Sequence, residues 1–284
     1  MRPASVSDTQ PLDSASFRAI ADLAYRESGL TLVEEKSTMV QSRLRHRLRA
    51  LGLSDFPQYC EFLHSEQGED ERRKLISALT TNVSHFFREN HHFEKLRDLL
   101  KTRVTTASAG RPIRIWSAGC SNGQESLSTA MTVLEDWPDA AALDLRILAT
   151  DIDPVVVQFA RQGHYPDRLA GGMSDEQKAR YFDVNQPDSG EPTYTAKRTI
   201  RNLIRYNELN LLGPWPMKNR FDVIFCRNVV IYFDAVTQEK LWPRFRQALG
   251  PDGLLFLGHS ERIADPERFG FECIGPTTYR PISS

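Results

Sequence analysis

Apolar residues recur at one spacing in the first third of the chain and at another in the rest. Phe17, Ile20, Leu23 and Ala24 fall every three to four residues, as on a buried helix face. Val40, Leu44, Leu48 and Leu51 repeat that pattern up to Gly52, which marks a helix end. Shorter helices fit 56–63 and 70–79, and nothing in this stretch reads as a strand. The pattern predicts a helical domain over 16–90. Residues 1–15 are polar, carry Pro3 and Pro11, and are expected to form a mobile tail. An amphipathic helix over 92–104 and the loop after it make 91–110 the expected linker.

From Arg111 the pattern changes. Short apolar runs at 113–118, 145–149, 223–226 and 254–257 alternate with helical segments at 125–134, 154–160 and 236–248. Runs this short, rich in Ile and Val and bounded by turn residues, read as buried parallel strands. The alternation predicts an open α/β sheet with helices on both faces over 111–284. Residues 165–207 break it. They hold Gly171-Gly172, a helix-like 174–181 and an alternating 193–199, and are expected to be an inserted small antiparallel β unit.

Composition narrows the function classes. Apolar residues are 40 % and charged residues 26 % of the 284, the balance of a folded globular chain. Lys plus Arg is 36 against 37 for Asp plus Glu, so a nucleic-acid partner is not expected. The four cysteines, Cys60, Cys120, Cys226 and Cys273, are far apart with no CxxC pair, which gives no support to a disulfide scaffold or zinc ribbon and fits a reducing compartment. No leader-like or membrane-spanning apolar stretch is present, so a cytoplasmic protein without membrane insertion is expected.

Three strand ends carry candidate chemistry. The run 113–125 ends a strand in Gly119-Cys120-Ser121-Asn122-Gly123 and enters a helix at Glu125. Glycines there let a ligand approach the main chain, though a plain tight turn has the same composition. The Gly-Lys-Ser/Thr ending of a phosphate loop is missing. Asp151 ends the next run, about 30 residues after the first glycine loop, where a carboxylate accepts both hydroxyls of a ribose. Asp153, before Pro154, is the expected helix cap. The two loops together suit a nucleoside cofactor without a phosphate clamp, S-adenosylmethionine rather than a dinucleotide. The run 221–233 ends a strand in Cys226-Arg227-Asn228 and reaches Tyr232, which faces a cleft or fills the core.

Two further features lie in the helical part. Residues 80–89, Thr-Thr-Asn-Val-Ser-His-Phe-Phe-Arg-Glu, put small polar groups and Arg88 around two aromatics at a helix end. They read as a lid or as packing. From Lys36 through Ser54 there are five basic residues and no acidic one. Arg43 and Arg47, and Arg45 and Arg49, make two stripes, either a docking face for an acidic partner or a solvated helix face.

These motifs, together with Asn210-Leu211-Leu212 and Gly258-His259-Ser260-Glu261, occur in the order and spacing of the CheR family, and the chain resembles that family along nearly its whole length. The resemblance implies a Rossmann-like S-adenosylmethionine-dependent methyltransferase domain, an N-terminal all-helical domain and an inserted β-subdomain. It implies methyl esterification of glutamate side chains in chemoreceptors, with S-adenosylhomocysteine as product. Carried over residue by residue, Asn82, Ser84, Arg88, Glu125, Asp151, Asn210, Leu211, Cys226 and Arg227 bind the cofactor, and Arg88 and Tyr232 stand at the transferred methyl. The helix bearing Arg43, Arg45, Arg47 and Arg49 faces the cytoplasmic domain of the receptor, and a monomer is expected. The inserted unit matches a subdomain that grips a receptor tail in some members. The family usually reads Gly-Glu-Glu-Pro-Tyr-Ser where this chain has Gly123-Gln124-Glu125-Ser126-Leu127-Ser128, which loosens the expected helix start. A non-catalytic S-adenosylmethionine-binding module and a methyltransferase for another acceptor are the alternatives.

Overall fold

The computed structural model describes residues 11–107 and 111–282. Its contacts divide the chain between Thr81 and Asn82 into two units, with Tyr232–Asp234 grouped with the first.

The first unit is helical. It holds α1 (Ser14–Ser28), α2 (Ser37–Leu51), α3 (Phe56–His64) and α4 (Glu69–Leu79). Its core is formed by the apolar stripes read from the sequence, with Ile20, Leu44, Leu48, Phe56 and Leu75 all fully buried. The expected tail over 1–15 is too long. Asp13 caps α1 by accepting from the N–H groups of Ala15 and Ser16, each at 2.9 Å. Such a cap is worth about 1 kcal/mol. Residues 1–10 of that expected tail lie outside the described residues. Gly29 and Gly52 end α1 and α2 in the left-handed conformation that glycine adopts without a Cβ clash.

The second unit begins with the loop 82–90 and α5 (His91–Ala107). Here the structure corrects the expected linker. Phe93, Leu96 and Leu100 lie three to four residues apart and are buried in the α/β core, so α5 packs against the sheet.

The α/β elements then follow in order: β1 (Ile113–Ala118), α6 (Gln124–Asp136), β2 (Leu145–Asp151), α7 (Pro154–Gln162), β3 (His164–Pro166), α8 (Asp175–Tyr181), β4 (Phe182–Asn185), β5 (Thr193–Ala196), α9 (Arg198–Arg201), β6 (Ile204–Glu208), β7 (Phe221–Cys226), α10 (Ala235–Ala248), β8 (Leu249–Leu257), β9 (Phe271–Gly275) and β10 (Thr278–Pro281). The main sheet has the order β6-β2-β1-β7-β8-β10-β9. The first five strands run parallel and the last two form an antiparallel hairpin.

Strands β1 and β7 are central and buried nearly throughout, which is why they read as continuous apolar runs. The inserted unit is the three-stranded antiparallel sheet β3-β5-β4 with α8, whose start carries a Ser174–Gln177 capping box. The insertion is shorter than 165–207, because β6 leaves it to pair with β2 in the main sheet. Among the described residues, no helix is long and apolar enough to cross a membrane.

Candidate functional site

In a parallel sheet all carboxyl ends lie along one edge, where the loops splay to admit a ligand. The ends of β1, β2, β6 and β7 carry the residues singled out above. Leu209 N donates to Asp151 O at 2.9 Å, which joins the chain after β6 to the end of β2.

The turn after β1 is built for the chain itself. The N–H groups of Gly119 and Cys120 both donate to Thr150 O at 2.8 Å. A Cβ on Gly119, at φ +93°, would stand 2.3 Å from Val229 Cγ2. On Gly123, at φ +87°, it would meet Ala160, Tyr165 and Tyr206 at 2.9–3.1 Å. The two glycines are thus required by internal packing. Ser126 replaces the proline of the usual motif, and its hydroxyl donates to Gly123 O at 2.9 Å and lies 3.0 Å from Tyr206 Oη. The helix start is therefore tied down, contrary to the expected loosening.

Asp151 ends β2 with a carboxylate fixed at both oxygens. Oδ2 accepts from Ser121 N at 2.8 Å and Oδ1 from Asp153 N at 3.0 Å. One lone pair on each oxygen is left over from these two bonds. Burial pushes the carboxyl pKa up, and main-chain donors, Asp153 and Ser121 foremost, oppose it. Asp153 caps α7 through Val155 N at 2.9 Å and accepts Asn82 Nδ2, also at 2.9 Å.

That amide is the first of several bonds that lay the loop 82–90 onto the site. Asn122 Nδ2 donates to Asn82 O at 3.3 Å, Gln124 Nε2 to Ser84 O at 3.5 Å, and Phe87 N to Ser128 Oγ at 3.0 Å. Phe87 and Glu89 take positive φ, 53° and 54°, a strain that costs roughly 1–3 kcal/mol each and persists only where surroundings enforce it.

Phe87 is held by its bond to Ser128, and an ion network holds Glu89. Glu125 Oε1 accepts Ser117 Oγ at 2.6 Å, and Oε2 lies 3.2 Å from Arg227 Nη1. Arg227 Nη2 lies 3.5 Å from Glu89 Oε2 and donates to the carbonyl of Arg88. The guanidinium also stands over the Phe93 ring, 5.7 Å from its centroid. Its side chain is 2 % exposed, so both carboxylates are needed to offset its desolvation. Burial raises the Glu125 pKa while Arg227 pulls it down. His92, 3.6 Å from Glu89, is pushed down to about 3 by burial and by Arg227, and is neutral.

The remaining predicted residues are placed as follows. Arg88 is 28 % exposed in its side chain and donates to Val83 O at 3.3 Å. Ser84 is half-buried. Asn210 Oδ1 accepts Leu212 N at 2.9 Å, and Leu211 is buried with its carbonyl accepting from Trp215 and Arg244. Cys226 is fully buried at the end of β7, and burial pushes its thiol pKa up. Arg227 is likewise held by protein groups and orients neighbours. Tyr232 is half-buried, groups with the helical unit, and accepts Thr31 N at its carbonyl at 2.9 Å.

This edge suits a nucleoside cofactor. The loop 119–123 has no Lys or Arg to grip a polyphosphate. Ser121 Oγ and Gln124 Oε1 are buried without a hydrogen-bond partner beside it. Buried polar atoms of this kind cost free energy until a partner arrives. With the spare lone pairs of Asp151, they are polar atoms of this loop that no described protein group satisfies.

The basic stripe of α2 is divided by the structure. Arg43 donates to Leu79 O, Thr80 O and Thr81 Oγ1 at 2.8–2.9 Å, closing the end of α4. Arg47 makes a two-bond pair with Glu71 at 2.8 and 2.5 Å, and Tyr59 Oη adds a third bond at 3.0 Å. Burial and Glu71 push the Tyr59 pKa up. Both arginines are engaged within the helical unit. Arg45 and Arg49 are exposed.

Sequence reasoning missed Ser117, Glu89 and Glu261. Glu89 and Glu261 stood inside quoted motifs, but only their partners, distant in sequence, reveal what they hold.

Residues 82–279 match the family described as CheR methyltransferase, SAM binding domain, and residues 15–80 match CheR methyltransferase, all-alpha domain. The chain is 46 % identical to a probable chemotaxis protein methyltransferase of Rhizobium etli, over 91 % of this chain and 96 % of that one. It is 40 % identical to a chemotaxis protein methyltransferase of Escherichia coli, over 94 % and 91 %. It is 38 % identical to chemotaxis protein methyltransferase 2 of Pseudomonas aeruginosa, over 93 % and 92 %.

Proposed function

The chain belongs to the CheR methyltransferase family and is an S-adenosylmethionine-dependent methyltransferase, and on that premise we propose that it esterifies glutamate side chains of chemoreceptors. The observation that carries this reading is the match of both parts of the chain to one family, with relatives named chemotaxis protein methyltransferases over nearly their full length. When bound, S-adenosylmethionine supplies an electrophilic methyl on a sulfonium. That methyl would pass to a carboxylate oxygen of the acceptor, and Asp151 would be the residue that holds the cofactor's ribose.

Glutamate carboxylate is ionised at neutral pH, so no proton must be removed and no general base is needed. The chain's task is alignment and water exclusion, worth up to roughly 7–11 kcal/mol in well-oriented systems. Asp151 holds the ribose hydroxyls. Asn82, Ser84, Glu125, Asn210 and Leu211 complete the cofactor contacts. Arg227 orients Glu125 and the Arg88 main chain. Arg88 or Tyr232 holds the substrate carboxylate, and a Tyr hydroxyl does so without over-stabilising the ground state. Arg45 and Arg49 of α2 meet the cytoplasmic domain of the receptor. The protein works as a cytoplasmic monomer.

The test is mass-spectrometric mapping of a receptor cytoplasmic domain after incubation with protein and S-adenosylmethionine. Methylation confined to glutamates supports the reading. Methylation of other side chains, or of the cofactor-free control alike, overturns it.

A further inference from the structure

The segment after β8 holds the loop after β7 through one buried carboxylate. Glu261 is 4 % exposed. Its Oε1 accepts Val229 N at 2.8 Å and Ile231 N at 3.2 Å. Its Oε2 accepts Asn228 N at 2.8 Å and Gly258 N at 2.6 Å. No arginine or lysine pairs with it among the described ion pairs, so main-chain donors alone compensate the buried charge. The loop it gathers is not relaxed: Asn228 takes φ 58°. Gly258 leaves room for the arrangement, since a Cβ there would stand 2.6 Å from Asn228 Nδ2, 2.7 Å from Asn228 N and 2.8 Å from Glu261 Oε2. The neighbouring His259 reaches the other loop, with N and Nδ1 each 3.2 Å from Glu89 Oε1.

We propose that Glu261 is a positioning residue for methyl transfer, fixing the main chain between Arg227 and Tyr232 so that both stand where the reaction needs them. The inference rests on the functional reading above, in which Tyr232 holds the acceptor carboxylate. Three of the four N–H groups that Glu261 collects belong to residues 228–231, directly before Tyr232 in the chain. Val229 transmits that position further, because its Cγ2 occupies the space that a Gly119 side chain would need. A loop released from Glu261 therefore disturbs the turn after β1 as well. The carboxylate oxygens of Glu261 accept main-chain N–H groups, so the effect is on alignment, which turnover reads more sharply than affinity.

The experiment compares Glu261→Gln, Glu261→Asp, Gly258→Ala and the Gly258→Ala/Glu261→Gln pair with the wild type. It measures kcat, receptor KM, S-adenosylhomocysteine affinity by calorimetry, and folded fraction by circular dichroism. Gln puts an N–H group against main-chain donors, and kcat of folded protein should fall about tenfold or more while KM and affinity change by less than about threefold. Asp keeps the charge at shorter reach and should fall between Gln and wild type. Gly258→Ala displaces the same carboxylate, so the pair should be no worse than the poorer single variant, as residues sharing one interaction behave. If Glu261→Gln folds poorly, the Asp and Gly258→Ala variants carry the same comparison, and faster amide exchange at 228–231 marks a released loop. A kcat per folded molecule that stays at the wild-type value in these variants overturns the inference alone. A wild type that transfers no methyl to receptor overturns the functional reading and the inference with it.

Discussion

Arg227 Nη1 stands 3.2 Å from Glu125 Oε2, which ties the residue after β7 to the first turn of α6. The pair is buried, and the guanidinium also serves Glu89 and the Arg88 carbonyl. Removing it leaves two carboxylates without their cation, a change that typically costs 3–5 kcal/mol or about that. Arg227→Met should lower stability by roughly 3 kcal/mol and turnover far more than that loss of folded protein explains. Urea unfolding and single-turnover rates check the two parts separately.

Asp151 is expected to dominate cofactor affinity. Asp151→Ala should weaken S-adenosylhomocysteine binding by roughly 10- to 100-fold, the worth of one or two charge-assisted hydrogen bonds. Calorimetry reads this directly, and unchanged affinity rules out the ribose assignment.

The same residue sets a pH dependence. Burial raises its pKa above the ordinary 3.8, so on acidification it takes up a proton before an exposed Asp does. Cofactor-product affinity should fall with decreasing pH from above that value, and Asp151→Asn should lose that component. For stability the sign is opposite. A carboxyl raised in the folded state stabilises when protonated, fully below its unfolded pKa, and loses that contribution as pH rises through the folded value. Glu125 and Glu261 are raised by burial too, so the three together oppose folding at neutral pH. Binding calorimetry over a series of pH values checks the first sign and urea unfolding over the same series the second, each with the Asn variant as reference.

Tyr232→Phe should lower kcat by about tenfold or more and leave cofactor affinity within about threefold. Equal loss of both removes the role assigned to the hydroxyl.

The arginines of α2 separate by partner. Arg47→Ala strips Glu71, 2 % exposed, of its cation and should destabilise the protein by about 3 kcal/mol. Arg45→Glu with Arg49→Glu should change stability by no more than about 0.5 kcal/mol but raise receptor KM about tenfold at low salt. The KM effect should shrink as salt screens the exposed charges.

The helical unit and the parallel strands were legible because their apolar residues repeat at helical spacing, as from Phe17 to Ala24, or run unbroken, as from Ile113 to Ala118. Strand β6 was not, because an edge strand such as Ile-Arg-Tyr-Asn-Glu alternates and carries charge. The hairpin β9–β10 is likewise short and half-exposed. At the site, Asp153 was legible as a cap since Pro154 follows it. The engagement of Arg43 and Arg47 was not, because their partners Leu79, Thr80 and Glu71 belong to another helix and its end. Gly119 shows the same limit: its need for glycine comes from Val229, far along the chain.

The most direct test mixes the protein with methyl-labelled S-adenosylmethionine and membranes carrying chemoreceptors, then treats the receptor with mild base. A carboxyl ester releases its label as volatile methanol, and the account predicts that most receptor-bound label leaves in this form. Label that stays bound, or receptor that takes up none while calorimetry shows the cofactor binding, contradicts it.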